Sequence, residues 1–133
     1  MSHNPWSTNA KFVEGQLVIA GKRASDLARE YGTPLFALDE DDFKKRAIAF
    51  RDAMKNSFDS SIVYYASKAF TCKEVVRWID ELGMGIDVAT GGELEVALAV
   101  NFPANRIQVH GNNKSISEID RAVEIGVGNI VID

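Results

Sequence analysis

Lys68 stands just past the apolar run Ile62-Val63-Tyr64-Tyr65-Ala66. If that run is a strand, alternation puts Lys68 on the face of Ile62, Tyr64 and Ala66. A lysine buried there is costly to charge, so a neutral amine becomes available as a nucleophile. Schiff-base chemistry uses such an amine. The same position also suits a lysine that snorkels out from a strand end, or one paired with a carboxylate such as Asp87. Polar residues follow three later apolar runs as well. Asp87 and Thr90, then Gly91-Gly92-Glu93, follow Ile86; His110 and Gly111-Asn112-Asn113-Lys114 follow Ile107; Asp133 follows Ile130. Asp87 can orient or neutralise Lys68, bond a ligand, or cap the next helix. Gly91-Gly92 before a helix lets backbone N–H groups approach an anion, and equally makes a plain turn. His3 and His110 are too few and too scattered for a metal site, and a lone Cys72 excludes a Cys-rich zinc site, so no metal is expected.

The elements that must position these residues alternate from Ser61 onward. Strands are predicted over 62–66, 86–89, 107–110 and 130–132, with helices over 73–82, 93–100 and 117–125 between them. Ser115 and Glu118 can form a capping box, and Gly83, Gly85, Gly126 and Gly128 sit where left-handed helix ends are wanted. Such β-α alternation implies a parallel sheet with mostly apolar strands, covered on both faces, and sites at the C-terminal strand ends. The repeat of about 22 residues suits a compact barrel. A complete eightfold barrel takes about 250 residues. The fold class expected is therefore α/β, a partial (β/α)8 barrel made of its first four strands. A half-barrel leaves hydrophobic edges open, so the sequence reads as the N-terminal piece of a longer protein. The rival is a complete small four-strand domain.

Ahead of this lie a flexible lead over 1–10 and a hairpin of 11–13 with 16–20 around Glu14-Gly15. A short helix capped by Ser25 runs through Glu30, and Leu35 to Leu38 reads as a strand. A helix over 40–54 carries Phe43, Ala47, Phe50 and Met54 on one face. Of the 133 residues, 46% are hydrophobic and 26% charged, the mix of a soluble globular protein and not of a disordered one. No apolar run approaches the ~20 residues of a membrane helix, and the N-terminus carries no secretory signal. The net charge of −4 comes from interspersed charges. No nucleic-acid partner, no membrane and a cytoplasmic location are expected.

Tyr65-Ala66-Ser67-Lys68-Ala69-Phe70 resembles the pyridoxal-phosphate lysine motif of the alanine-racemase-like, fold-type III barrel decarboxylases. Three further stretches narrow the resemblance: Tyr31 to Phe36 with Asp39 to Phe43, Asp87-Val88-Ala89-Thr90-Gly91-Gly92-Glu93-Leu94, and His110-Gly111-Asn112-Asn113-Lys114-Ser115. Their order and spacing resemble the diaminopimelate decarboxylase family, in its actinobacterial form. The resemblance implies a barrel joined to a β-domain built from both chain ends. Residues 1–38 then belong to the β-domain, and 39–133 to the first half of the pyridoxal-phosphate-binding barrel. It implies that Lys68 is catalytic and carries pyridoxal phosphate, with Asp87, Glu93 and His110 on the cofactor side. The implied reaction is decarboxylation of a small-molecule substrate, meso-diaminopimelate, to L-lysine by a homodimer. The family supplies its phosphate loop and most substrate-binding residues later in the chain, so this chain alone is expected to be inactive. The alternatives are a related ornithine, arginine or polyamine decarboxylase, or a non-catalytic pyridoxal-phosphate-binding barrel. The hairpin speaks against the last, because such carriers lack the β-domain.

Overall fold

A computed structural model describes residues 6–132. They fall into two compact units, one up to Ala47 and one from Ile48.

In the first unit, β1 (Lys11–Val13), β2 (Gln16–Ile19) and β3 (Lys22–Arg23) form an antiparallel sheet in that order. Val13 pairs with Gln16 and Ile19 with Lys22, so both connections are two-residue loops. Glu14 (φ 51°) and Gly15 (φ 76°) form the first, Ala20 (φ 46°) and Gly21 (φ 80°) the second. Positive φ at both central residues is the turn whose twist matches paired strands. The expected hairpin is thus present, and β3 extends it.

Helix α1 (Ala24–Tyr31) starts before Ser25. Arg23 is its N-cap, without a side-chain bond, and the Ser25 hydroxyl donates to Gln16 Oε1 at 3.1 Å instead. Leu35 to Leu38 is not a strand. The run is apolar but joins neither sheet among the described residues, and Leu35, Phe36 and Leu38 are exposed. The lead is also not loose where it is described. The Ser7 hydroxyl donates to Asp39 at 2.5 Å, and Thr8 donates to Asp42 through its N–H (3.0 Å) and hydroxyl (2.7 Å). The rest of the expected lead, including His3, lies outside the described residues.

Helix α2 (Glu40–Ser57) is longer than predicted. Asp39 caps it by accepting from the Asp42 N–H at 3.2 Å. The predicted apolar face is only partly covered: Phe43 and Ala47 are half-buried, whereas Phe50 and Met54 are exposed. Periodicity marks an apolar face, and only a neighbour can bury it.

In the second unit, β4 (Tyr64–Ala66), β5 (Gly85–Val88), β6 (Ile107–Val109) and β7 (Asn129–Ile130) form a parallel sheet in chain order. Helices α3 (Lys73–Glu81), α4 (Gly91–Leu98) and α5 (Ile116–Ile125) connect them, as predicted to within a few residues. Ile86, Val88 and Ile107 are fully buried, as are Val76 and Ile79 of α3. Each such side chain contributes roughly 1.5–3 kcal/mol. The other sheet face departs from the expected apolar cover. Asp87, Gln108 and Asn129 pair in one row across the strands and are only partly buried or exposed. Gly83 and Gly126 adopt the predicted left-handed helix ends (φ 67° and 70°). Gly85 does not. Its place is set by close approach, since a Cβ there would lie 2.5 Å from the Tyr64 ring. Across that gap the Tyr64 hydroxyl accepts from Asn129 Nδ2 at 3.0 Å. At the N-terminal strand ends Arg106 braces the unit. It donates to the Met84 carbonyl at 2.7 Å, pairs with Asp80, and lies 5.0 Å over the Phe102 ring.

Candidate functional site

The polar residues gather at the C-terminal ends of β4, β5 and β6. After β4 the chain enters one turn of 3-10 helix, Ser67–Ala69. Two bonds pin that turn: the Tyr65 hydroxyl donates to the Phe70 carbonyl at 2.8 Å, and the Thr71 hydroxyl to the Ser67 carbonyl at 2.5 Å. Burial holds the Tyr65 phenol above its ordinary range. Strand alternation therefore stops at Ala66. Lys68 is exposed in this chain, so the premise of a buried amine fails here. Its neighbour Ser67 is buried instead, and among the described residues the Ser67 Oγ has no hydrogen-bond partner.

Asp87 lies opposite Ala66 in the strand register, and Lys68 follows two residues after Ala66. Its Oδ1 accepts from Gln108 Nε2 at 3.0 Å, and its Oδ2 lies 3.5 Å from His110 Nδ1. The carboxylate is mostly buried and the imidazole partly exposed. Among the described residues no hydrogen bond or ion pair joins Asp87 to Lys68. Nor does Asp87 cap α4; Thr90 does, its hydroxyl accepting from the Glu93 N–H at 3.2 Å. Glu93 turns back on the loop before its own helix and accepts from the Ala89 N–H at 2.6 Å.

The anion at the Gly91-Gly92 helix start is a protein side chain. Gly91 N–H donates to Glu118 Oε1 at 2.7 Å. Glu118 Oε2 accepts from the Ser115 N–H (2.9 Å) and hydroxyl (2.8 Å), completing the predicted capping box. The Ser115 N–H, then its hydroxyl, then the Gly91 N–H hold the Glu118 carboxyl below its usual range. Lys114 points its ammonium at two carbonyls, Gly111 at 2.5 Å and Val131 at 2.6 Å. Sequence reasoning did not find Gln108 or Glu118 as site residues, and it placed Lys114 only in the polar run after Ile107, without a role of its own. The capping pattern flagged Glu118 locally, but nothing in the sequence announces its bond to a residue so distant in the chain. Asp133 lies outside the described residues. Among the described residues no group of three or more His, Cys, Asp or Glu side chains is arranged to hold a metal.

Residues 40–133 match the family described as "Pyridoxal-dependent decarboxylase, pyridoxal binding domain". The diaminopimelate decarboxylase of Mycobacterium tuberculosis is 51% identical over 134 residues, covering 100% of this chain and 29% of that protein. That of Bacillus subtilis is 42% identical over 126 residues, covering 95% of this chain and 29% of that protein. Among solved structures, diaminopimelate decarboxylase from M. jannaschii in complex with L-lysine superposes with a TM-score of 0.85 at 31% identity, over 96% of this chain and 30% of the other. A lysine/ornithine decarboxylase of Vibrio vulnificus complexed with putrescine gives a TM-score of 0.68 at 28% identity, over 82% of this chain and 29% of the other. The chain thus spans about 29% of the length of the curated relatives it matches. With a match over most of its length, this chain belongs to the pyridoxal-dependent decarboxylases, as part of their pyridoxal-binding domain.

Proposed function

We propose that this chain is the cofactor-binding part of a diaminopimelate decarboxylase, which removes carbon dioxide from meso-diaminopimelate and yields L-lysine. In this reading 1–38 belong to a β-domain and 39–133 to the first half of the barrel. The donor set fits pyridoxal phosphate. Lys68 offers an exposed primary amine beside a rim that also carries a carboxylate and an imidazole. When bound, the cofactor supplies an electron sink for the pair of electrons left as carbon dioxide departs.

The chain's own residues bind and orient. Lys68 holds the cofactor through its amine. Asp87 keeps a negative charge at the rim, oriented by the Gln108 amide and faced by His110. Glu93 acts on the cofactor side by holding the Ala89 N–H, and so the loop that follows Asp87. What carries the reading is the 51% identity to diaminopimelate decarboxylases across the whole chain, with the lysine motif on the rim turn. The whole enzyme in this reading is a cytoplasmic homodimer acting on a small molecule and binding neither nucleic acid nor membrane. Among the described residues no helix is long and apolar enough to cross a membrane.

The test is chemical. The chain is incubated with pyridoxal phosphate, treated with borohydride, digested and mass-mapped. The expected result is a phosphopyridoxyl group on the peptide holding Lys68, absent in Lys68→Ala. Modification of other lysines with Lys68 untouched overturns the assignment. In the full-length enzyme, carbon dioxide release from meso-diaminopimelate is expected to exceed that from ornithine or arginine. These 133 residues alone are expected to release none, because they span under a third of the related enzymes' length.

A further inference from the structure

We infer that the segment from His110 to Glu118 is a clasp, and that Lys114 and Glu118 are positioning residues that hold His110 against Asp87. Three ties carry this. Gly111 sits at φ 105° with its missing Cβ aimed at the Ala89 carbonyl, 3.2 Å away, so the clasp lies directly on the segment after β5. Glu118 reaches the same segment from the far end of the clasp and accepts the Gly91 N–H at 2.7 Å. Lys114 ties the other side, donating to the Val131 carbonyl beyond β7 at 2.6 Å, and closes the loop on itself through Gly111 at 2.5 Å. His110 is the root of this loop, its own N–H donating to Val88 at 2.8 Å.

Lys114 is therefore spent on backbone carbonyls, and Glu118 on two backbone N–H groups and the Ser115 hydroxyl. Glu118 fills the anion position of two helix starts at once, at Gly91 and at Ser115. An acceptor-only carboxylate suits that place; an amide would turn donors toward an N–H. The Lys114 ammonium has carbonyls for partners, and hydrogen bonds to a charged donor are stronger than neutral ones. The dense donor run His-Gly-Asn-Asn-Lys-Ser thus has a mechanical reading. Gly permits the approach, Lys ties one neighbour, and Ser with Glu118 ties the other. The clasp stands on these contacts alone; only its consequence for a cofactor rests on the function proposed above.

The experiment uses the chain with and without pyridoxal phosphate, in a His3→Gln background that leaves His110 as the sole imidazole. NMR follows the His110 ring signal and the exchange rate of the Gly91 amide. Visible circular dichroism follows the bound cofactor. Without cofactor, Glu118→Gln is expected to move the His110 signal and to speed Gly91 exchange about tenfold or more, the loss of one charge-assisted bond. Lys114→Met is expected to move the His110 signal too, and Lys114→Arg to restore it in part. Glu124→Gln, exposed on the same helix and paired with Arg121, is expected to change neither. A folded Glu118→Gln or Lys114→Met protein whose His110 signal stays in place overturns the clasp. If neither variant folds, the unsubstituted chain is titrated: the Gly91 and Ser115 amides are expected to follow the Glu118 carboxyl with one midpoint, and separate midpoints overturn it. With cofactor, a moved His110 signal beside an unchanged cofactor band keeps the clasp and removes His110 from the cofactor side.

Discussion

Up to Ala47 the only buried apolar side chain among the described residues is Val18; from Val75 onward they recur in α3, α4, α5, β5 and β6. The other buried side chains of the first unit are carboxylates, Asp39 and Asp42. Its strands are two to four residues long and its loops are tight turns. The second unit sets fully buried Val and Ile side chains between a parallel sheet and its helices. One unit is thus held by directional bonds to charge, the other by apolar area. Directional bonds of this kind respond to pH, whereas apolar packing responds to volume.

The largest effect should come from volume in the second unit. Ile107→Ala, at a side chain with no exposed surface, is expected to cost about 3 kcal/mol. Urea unfolding followed by Trp78 fluorescence in a Trp6→Phe background reads this unit alone, because the chain has two tryptophans. A loss under about 1 kcal/mol would mean the sheet is not close-packed. Next comes charge in the first unit. Bonds from the Thr8 hydroxyl and N–H, and then the Arg46 guanidinium, hold Asp42 at about 2, against an ordinary 3.8. A lowered carboxyl stabilises the folded form above its unfolded value and loses that effect as pH falls through the folded one. The contribution is about 2 kcal/mol, complete above about pH 4 and lost toward pH 2. Asp42→Asn should remove a similar amount at neutral pH and flatten the acid dependence, read from exchange of the Thr8 amide. If that amide still slows between pH 2 and pH 4 in the variant, the comparison of the two units is wrong.

Smaller effects sharpen it. Ser115→Ala removes the α5 cap and should cost about 1 kcal/mol in thermal unfolding of the second unit. A loss near zero would mean that Glu118 is held by Gly91 without the box. Ser67→Ala should be neutral, or stabilising by up to about 1 kcal/mol, because a buried hydroxyl without a partner contributes nothing that its removal would take away. A clear loss of stability there would reveal a partner for the hydroxyl.

How legible this was in the sequence varied with the range of the interaction. The alternation of elements from Ser61, the turn at Glu14-Gly15 and the box of Ser115 with Glu118 are all written in neighbouring residues, and all are present. Leu35 to Leu38 is an apolar run that reads as a strand but joins neither sheet among the described residues, and composition cannot supply a place in a sheet. The stripe Phe43, Ala47, Phe50 and Met54 has the period of a buried helix face and stands partly open. Gly85 reads like a helix end, yet it is there for the Tyr64 ring. Lys68 follows its strand in sequence, but the 3-10 turn takes it out of the alternation and puts Ser67 in the interior.

By itself the sequence determined the order of strands and helices from Ser61 onward, the turn at Glu14-Gly15, the capping box of α5, and which residue types follow each parallel strand. Those depend on backbone preferences and hydrogen bonds within a few residues. The tertiary structure alone decided that Asp87 meets Gln108 and His110, that Glu118 rather than an outside anion occupies the Gly91 amide, and that Lys114 braces a neighbouring strand end. These partners lie 17 to 27 residues apart. Their meeting is set by strand register and sheet order, which no local pattern encodes.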